Sequence, residues 1–407
     1  MSGLKFSTTR RQFLSLSGAA VFLYAGRQGL DVGREMVRQE EAWHAAAADN
    51  ATFMREHARL FSNVTLGTSF APEQWRVVEG GDQEAMRGFR WMSEEIGLSD
   101  VRLGLRWQRI EATPGRIDLS QYGPFLEYAF RNDMQVCLNV GPIRAFRWPE
   151  DHLPVWLATS PDLPPYQATI RDDSDIALRA TDYFARMLDG LTARFGAEQL
   201  ASLPMVQVEN EPFYRHRGHE WLLSQEYMLA RTEQAQAVFP RSKLLVGSAG
   251  RMNLHQVREH FSRLLTSSPD YRRRLVMGFD YHYKTPYRDQ YPVIRDMDPI
   301  TYTWGGYETC EENRQAARDM GYDIEVTEGQ AEPNGNLTQP GNSARHFRFM
   351  LLRCASRVLD TSKPSLIRIW GIEEMAKKAL AGRATQEHEA MFDLMRQVNG
   401  AALGQAR

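Results

Sequence analysis

Eight short apolar runs, separated by longer stretches with helical spacing, constrain the fold of this sequence more than any other feature. The runs are rich in Val, Ile and Leu and cover residues 64–70, 101–105, 136–140, 205–208, 243–247, 276–283, 322–327 and 365–370. Helical patterns follow at 84–97, 125–132, 176–195, 220–239, 254–265, 312–320, 343–359 and 387–398. This alternation is typical of β–α units with a parallel sheet, and eight such units predict an α/β fold, a (β/α)8 TIM barrel.

The chain of 407 residues is long enough for such a barrel with a preceding segment. Hydrophobic residues make up 43% and charged residues 25%, which is typical of a globular protein. An α/β barrel takes roughly 250 residues or more as one unit, so we expect a single barrel domain over residues 63–407. Residues 31–62 are charged with helical spacing and are predicted to form a helical linker. The alternative, an open doubly wound sheet, lacks the glycine-rich phosphate-binding motif after its first strand.

The first thirty residues have the pattern of an export signal. Arg10 and Arg11 precede a moderately apolar stretch at 13–25, an order that resembles a twin-arginine signal. The apolar stretch is shorter than the roughly 20 residues of a membrane-spanning helix. We therefore expect a periplasmic or secreted protein. The signal is either cleaved or retained as an anchor, and we expect no other membrane span.

Charge and cysteine content exclude several classes of partner. Lys plus Arg number 49 and Asp plus Glu number 51, without a block of like charge, so the sequence does not predict a nucleic-acid-binding protein. The three cysteines lie far apart, and no H-x-H or H-E-x-x-H motif supplies a pair of metal ligands. The sequence thus predicts neither a metal site nor a cofactor, and it gives no indication of oligomeric state.

Polar and aromatic residues occur where several of the predicted strands end. They include Asn139 near the end of the third run, Glu209-Asn210-Glu211-Pro212 after the fourth, Asp280-Tyr281-His282-Tyr283 at the end of the sixth, Thr327-Glu328-Gly329 at the end of the seventh and Trp370 at the end of the eighth. In such barrels the chemistry lies at the carboxyl ends of the strands. We therefore expect these side chains to line one site.

Two carboxylates in this set suggest a reaction. Glu211 and Glu328 follow the fourth and seventh runs, which stand across a barrel from each other. Hydrolysis of a glycosidic bond requires such a pair: one acid protonates the leaving oxygen, and the other attacks the sugar carbon or activates water. A separation of about 5 Å favours retention of configuration, whereas roughly 6.5 to 9.5 Å favours inversion.

The motifs around these acids resemble those of glycoside hydrolase clan A, a group of retaining β-glycosidases built on this barrel. The matching segments are V-E-N-E-P (208–212), V-T-E-G (326–329), L-G-T-S-F-A-P-E-Q-W (66–75), V-R-L-G-L-R-W-Q-R-I-E-A-T-P-G-R-I-D (101–118) and H-L-P-V-W-L (152–157), similar to families 5, 35, 39 and 42. The resemblance implies double displacement on β-glycosidic bonds of an oligo- or polysaccharide. It implies the following roles: Glu211 as acid/base, Glu328 as nucleophile, Asn210 on the sugar 2-hydroxyl, Tyr283 on the nucleophile, Trp370 under the reacting sugar and Arg102 supporting the nucleophile.

Several assignments stay open at this stage. Glu332 is an alternative to Glu328, because it lies four residues further along the same segment. Arg102 could serve catalysis or fill the barrel, and His282 could bind a sugar hydroxyl or be a structural histidine. Glu209 is expected to pair with Arg102 or Arg106 inside the barrel.

The aromatic residues and the overall function also leave alternatives. Trp75, Trp107, Trp148, Tyr281 and Trp304 are candidates for stacking on sugar rings, although at least half are expected to be core packing. The alternatives to a hydrolase are a carbohydrate-binding barrel without activity and a transglycosylase that uses the same covalent intermediate.

Overall fold

The structure is a computed structural model, and the part of the chain that it describes is discontinuous. The described residues are 38, 41–42, 44–76, 81–147, 151–165, 167–214, 221–248, 254–281, 283–284, 302–303, 307–330 and 344–405. His282, Trp148, Trp304, Glu332 and the predicted signal at 1–30 therefore lie outside the described residues.

Eight parallel strands form a closed barrel, as the apolar runs predict. The strands are β1 (Val64–Phe70), β2 (Asp100–Gly104), β3 (Gln135–Asn139), β4 (Met205–Gln207), β5 (Lys243–Ser248), β6 (Leu275–Tyr281), β7 (Asp323–Gln330) and β8 (Ser365–Trp370). Each strand pairs with its neighbours in the sequence, and β1 closes the barrel against β8, with Val64 opposite Ser365. The prediction of a (β/α)8 TIM barrel is confirmed.

Helices surround this barrel. The longer ones are α1 (Asn50–Phe61), α2 (Gly81–Glu94), α3 (Gly123–Arg131), α4 (Asp175–Phe195), α5 (Gln225–Val238), α6 (Leu254–Ser267), α7 (Tyr307–Met320), α8 (Ala344–Arg353), α9 (Ile372–Leu380) and α10 (Gln386–Gln405). Short helices lie at Glu73–Arg76, Trp107–Ile110, Val155–Ala158 and Ala197–Ala201, a 3-10 turn at Pro269–Tyr271 and a π-helix at Cys354–Val358. Two-stranded sheets join Thr169–Ile170 to Leu222–Leu223 and Tyr283–Lys284 to Tyr302–Thr303. The apolar periodicity did not predict α9.

Helix α1 precedes the barrel and packs against α10 and β1. Asp49 caps this helix by accepting a hydrogen bond from the Thr52 backbone N–H at 2.9 Å. Phe53 and Phe61 are fully buried, and Asn50 Nδ2 donates to the Ala390 carbonyl oxygen of α10 at 2.7 Å. This end of the linker predicted at 31–62 therefore contacts the barrel's outer layer. Among the described helices, none is long and apolar enough to cross a membrane.

A buried ionic cluster lies toward the amino-terminal part of the barrel. Arg368 of β8 donates from Nε to Asp100 of β2 at 2.7 Å and from Nη1 to Glu325 of β7 at 2.8 Å. These carboxylates raise the pKa of Arg368 above its ordinary value, so the guanidinium stays charged. Removing one member of a buried ionic cluster costs about 3 to 5 kcal/mol, because its partners remain buried and unpaired. The cluster stabilises barrel closure and leaves the opposite end to the candidate site.

Candidate active site

Arg102 is the centre of the site at the carboxyl ends of the strands. It is fully buried on β2, and its Nη1 donates to Glu328 Oε1 at 2.8 Å. Its Nε donates to Gln207 Oε1 at 2.8 Å, and its Nη2 donates to Asn210 Oδ1. The arginine thereby connects β2 with the ends of β4 and β7, so it does more than fill the barrel.

The turn after β4 holds Asn210 and Glu211 in place. Asn210 Oδ1 also accepts from Gln207 Nε2 at 3.1 Å, whereas Asn210 Nδ2 has no partner among the described residues. Glu211 has a φ of 40°, a left-handed conformation that costs a non-glycine residue about 1 to 3 kcal/mol. Its carbonyl oxygen accepts from the Tyr214 backbone N–H at 3.0 Å. Strained backbone of this kind is concentrated at functional sites, where the surrounding contacts maintain it.

A bulge in β7 directs two consecutive side chains into the site. The register against β6 shifts between Val326 and Glu328, and the pairing with β8 shifts in the same segment. Thr327 Oγ1 donates to Asp280 Oδ1 at 2.5 Å, while Glu328 reaches Arg102. In a regular strand these neighbours would point to opposite faces, so the bulge explains why both contact the site.

Asp280, at the end of β6, adds a third carboxyl group, to which the sequence motifs assign no role. Its side chain is buried beside that of Glu211, and its Oδ2 has no hydrogen-bond donor among the described residues. Burial raises the pKa of Asp280 well above its ordinary value, and the charges of Glu328 and Glu211 raise it further, whereas Arg102 lowers it. Its position in the polar segment 280–283 indicates that it lies near the site, but the sequence does not indicate which side chains it contacts.

The ends of β3 and β8 supply an amide and an aromatic surface. Asn139 is fully buried, and neither polar atom of its side chain has a partner among the described residues. Trp370 is half-buried, and the Arg147 guanidinium lies over its indole ring at 3.8 Å from the centroid. Arg147 also pairs with the buried Glu373. Sequence reasoning missed Arg147, because nothing in the local pattern indicates that it contacts Trp370.

Glu209 does not form the ion pair that the sequence predicts. Glu209 accepts hydrogen bonds from the Arg144 backbone N–H at 2.6 Å and the Tyr227 hydroxyl at 2.8 Å, so its expected pairing with Arg102 or Arg106 is wrong. The expectation assumed that side chains alternate between the two faces of a strand as far as Glu209. Strand β4 ends at Gln207 and the chain turns before Glu209, so this alternation does not extend to Glu209.

Two of the candidate stacking residues are core residues. Trp107 stacks on Tyr183 at 4.7 Å and is fully buried. Trp75 is 2% exposed and lies against Phe70 and Gly88. Tyr283 lies in a two-residue strand, and nothing is described of its side chain or that of Tyr281.

The structure therefore brings together four predicted site residues. Arg102 contacts Asn210 and Glu328, and Glu211, which follows Asn210, lies beside Asp280 in the same site. Among the described residues, no group of three or more His, Cys, Asp or Glu side chains is arranged to hold a metal ion. The side chains described at these strand ends include buried carboxyl groups, amides and a guanidinium.

Comparison with solved structures identifies the fold. The catalytic domain of a β-amylase from Paenibacillus polymyxa is 8% identical, with a TM-score of 0.50, and the match covers 82% of this chain and 98% of that one. The chain has the fold of this β-amylase domain. The closed eight-stranded barrel is also consistent with the resemblance to glycoside hydrolase clan A.

Two further matches have lower TM-scores. An exo-β-1,4-mannosidase from Opitutaceae bacterium strain TAV5 is 15% identical with a TM-score of 0.49, covering 83% of this chain. This chain spans only 60% of the length of that mannosidase. An endo-1,4-β-xylanase from Caldicellulosiruptor owensensis is 11% identical with a TM-score of 0.47, covering 84% of this chain and 98% of that one. No protein-family model and no curated protein matches the sequence.

Proposed function

We propose that the protein is a retaining glycoside hydrolase that cleaves β-glycosidic bonds in an oligo- or polysaccharide. The observation that carries this proposal is the convergence of Glu211 and Glu328 on one buried network around Arg102 and Asn210. Two carboxyl groups in different environments are what the reaction requires. Glu328, paired with a guanidinium, is suited to remain ionised, whereas Glu211, beside another carboxyl group, is suited to hold a proton.

The proposed reaction has two steps. Glu328 attacks the anomeric carbon and forms a covalent ester while the bond to the leaving oxygen breaks, and Glu211 gives its proton to that oxygen. Water then attacks the same carbon, Glu211 accepts a proton from the water, and Glu328 leaves as a carboxylate. The free Nδ2 of Asn210 is available to donate to the sugar 2-hydroxyl. The amide of Asn139 offers a second contact for a hydroxyl group.

Kinetics of two variants on aryl β-glycosides test the proposal. Glu328→Gln is expected to abolish turnover on every substrate, since no covalent intermediate can form. Glu211→Gln is expected to lose a factor of about 10² to 10⁴ on poor leaving groups, to retain the first step on good ones and to regain turnover with azide.

Three results would assign the chemistry differently. Normal turnover by Glu328→Gln together with an inactive Glu332→Gln would transfer the nucleophile to Glu332. Proton NMR of the first-formed sugar is expected to show the β-anomer, and an inverted product would exclude the nucleophile role. Absence of turnover on a broad panel of glycosides, with binding retained, would favour a carbohydrate-binding barrel.

We also propose export through the twin-arginine route to the periplasm or medium. The support is the order of Arg10, Arg11 and the apolar stretch at 13–25.

A further inference from the structure

Asp280 has no role in the two-carboxylate reaction, yet it lies near both of the carboxyl groups proposed to carry it out, Glu211 and Glu328. Its side chain is 3% exposed and lies beside that of Glu211. Its Oδ1 accepts from Thr327 Oγ1 at 2.5 Å, whereas its buried Oδ2 has no donor among the described residues. In the register of β6 and β7 it stands opposite Glu328. A third buried carboxyl at this position needs a physical explanation, because burying an uncompensated charge is costly.

A hydrogen bond between two carboxyl groups requires one proton, because two carboxylates are both acceptors. Among the described residues, the charged groups with the largest effect on Asp280 are Arg102 from β2, Glu211 from the turn after β4 and Glu328 from β7. In strand β5, the other neighbour of β6, the only charged residue is Lys243 at its start, where it pairs with Asp323. One guanidinium thus compensates only one of three carboxylates, and a single shared proton leaves one uncompensated negative charge instead of two.

We propose that Asp280 is a positioning residue for the general acid: it shares one proton with Glu211 and keeps that proton on the pair at neutral pH. This inference rests on the proposed function of Glu211. The hydroxyl of Thr327 stabilises the ionised form of Asp280 by donating to it, and this directs the proton to Glu211.

The shared proton also balances charge during the proposed reaction. When Glu328 forms its ester it loses its negative charge, and at the same moment Glu211 gives up the proton to the leaving oxygen. The Glu211–Asp280 pair then carries two negative charges, so the total buried charge around Arg102 does not change. In the second step water returns a proton to the pair as Glu328 becomes a carboxylate again.

The test is the pH dependence of kcat/KM in Asp280→Asn. The asparagine removes the like charge and its amide can donate to Glu211, so Glu211 loses its proton more easily. The alkaline limb of kcat/KM is therefore expected to move to lower pH by on the order of one unit or more. The matched control is Asp323→Asn, at the opposite end of the barrel, whose alkaline limb is expected to coincide with that of the wild type. An unmoved limb in a folded Asp280→Asn variant would overturn the inference.

A second variant keeps the test independent of any folding defect in the first. Thr327→Val removes the hydroxyl that donates to Asp280 while it preserves side-chain shape. The proton should then rest more on Asp280, so kcat/KM should fall for phenyl glycosides, which need acid assistance, and stay near wild type for dinitrophenyl glycosides. An equal loss on both substrates would indicate a structural role only and contradict the inference.

A readout without substrate separates this inference from the proposed function. Carboxyl ¹³C NMR of glutamate-labelled protein follows the titration of Glu211, assigned by its absence in Glu211→Gln. We expect Glu211 to titrate at lower pH in Asp280→Asn than in the wild type even if no glycoside is cleaved. Identical titration in both proteins would refute proton sharing, whereas inactivity with a shifted titration would refute only the glycosidase proposal.

Discussion

Arg102 is the residue on which the geometry of the site depends most. Its planar guanidinium donates in three directions, to Glu328, Gln207 and Asn210. A lysine at this position keeps the charge but has one ammonium group on a flexible stem, so it cannot hold all three acceptors at once. Glu328 would then lose orientation even though the net charge of the site is unchanged.

We therefore expect Arg102→Lys to lower kcat/KM by roughly 10- to 100-fold, because hydrogen bonds to charged groups contribute about 1.5 to 3 kcal/mol each. The measurement is steady-state kinetics on an aryl β-glycoside, with a thermal melt to confirm folding. Arg109→Lys, the same change at an exposed arginine, is the control and should retain wild-type kcat/KM. Equal kinetics for both variants would show that Arg102 only fills the barrel.

At the scale of elements, Glu209 ties the loop after β3 to the turn after β4 and to α5. The approach is close: a Cβ on Gly141 would lie 2.0 Å from the Val208 carbonyl oxygen, so only glycine fits there. Glu209 accepts from the backbone N–H groups of Ile143 and Arg144 and from the Tyr227 hydroxyl. Burial nevertheless dominates and raises the pKa of Glu209 from 4.5 to about 8.

This raised pKa predicts a pH-dependent stability. The folded chain binds the Glu209 proton more tightly than the unfolded chain, so the contribution of this group is complete below about pH 4.5 and is lost as the pH rises to about 8. Relative to Glu209→Gln, the melting temperature of the wild type should fall by at least about 2 °C over this range. Differential scanning calorimetry is the measurement. The exposed Glu198→Gln control should give a curve parallel to the wild type, and parallel curves for Glu209→Gln as well would contradict the prediction.

At the scale of the whole molecule, the proposed export signal and the barrel are separate parts of the chain. Replacing Arg10 and Arg11 with lysine should leave the protein in the cytoplasm, because the paired arginines are the distinguishing feature of this route. Cell fractionation and immunoblotting measure the distribution. Arg34 and Arg38, changed to lysine together, are a matched control that should not alter it. Equal periplasmic yields from the signal variant and the wild type would remove the proposal.

Much of the fold could be predicted because it depends on local pattern. Strand β3 was expected at 136–140 and spans Gln135–Asn139, and α4 was expected at 176–195 and spans Asp175–Phe195. Apolar spacing of this kind reports which residues are buried, and burial is the dominant favourable term in folding. The convergence of Glu211 and Glu328 could also be expected, since the strand ends of a barrel share one face.

Other features depend on contacts between residues far apart in the chain, and local pattern carries no signal for them. Three features arise only when the barrel closes: the approach of Asp280 to Glu211, the bulge that turns both Thr327 and Glu328 into the site, and the Arg147 guanidinium over Trp370. Glu209 shows the same limit, because the alternation expected of a strand ended two residues earlier at Gln207. Apolar periodicity and strand-end motifs therefore specify which residues reach the site. The protonation and orientation of those residues follow from the partners that barrel closure brings to them, because burial and neighbouring charge set both.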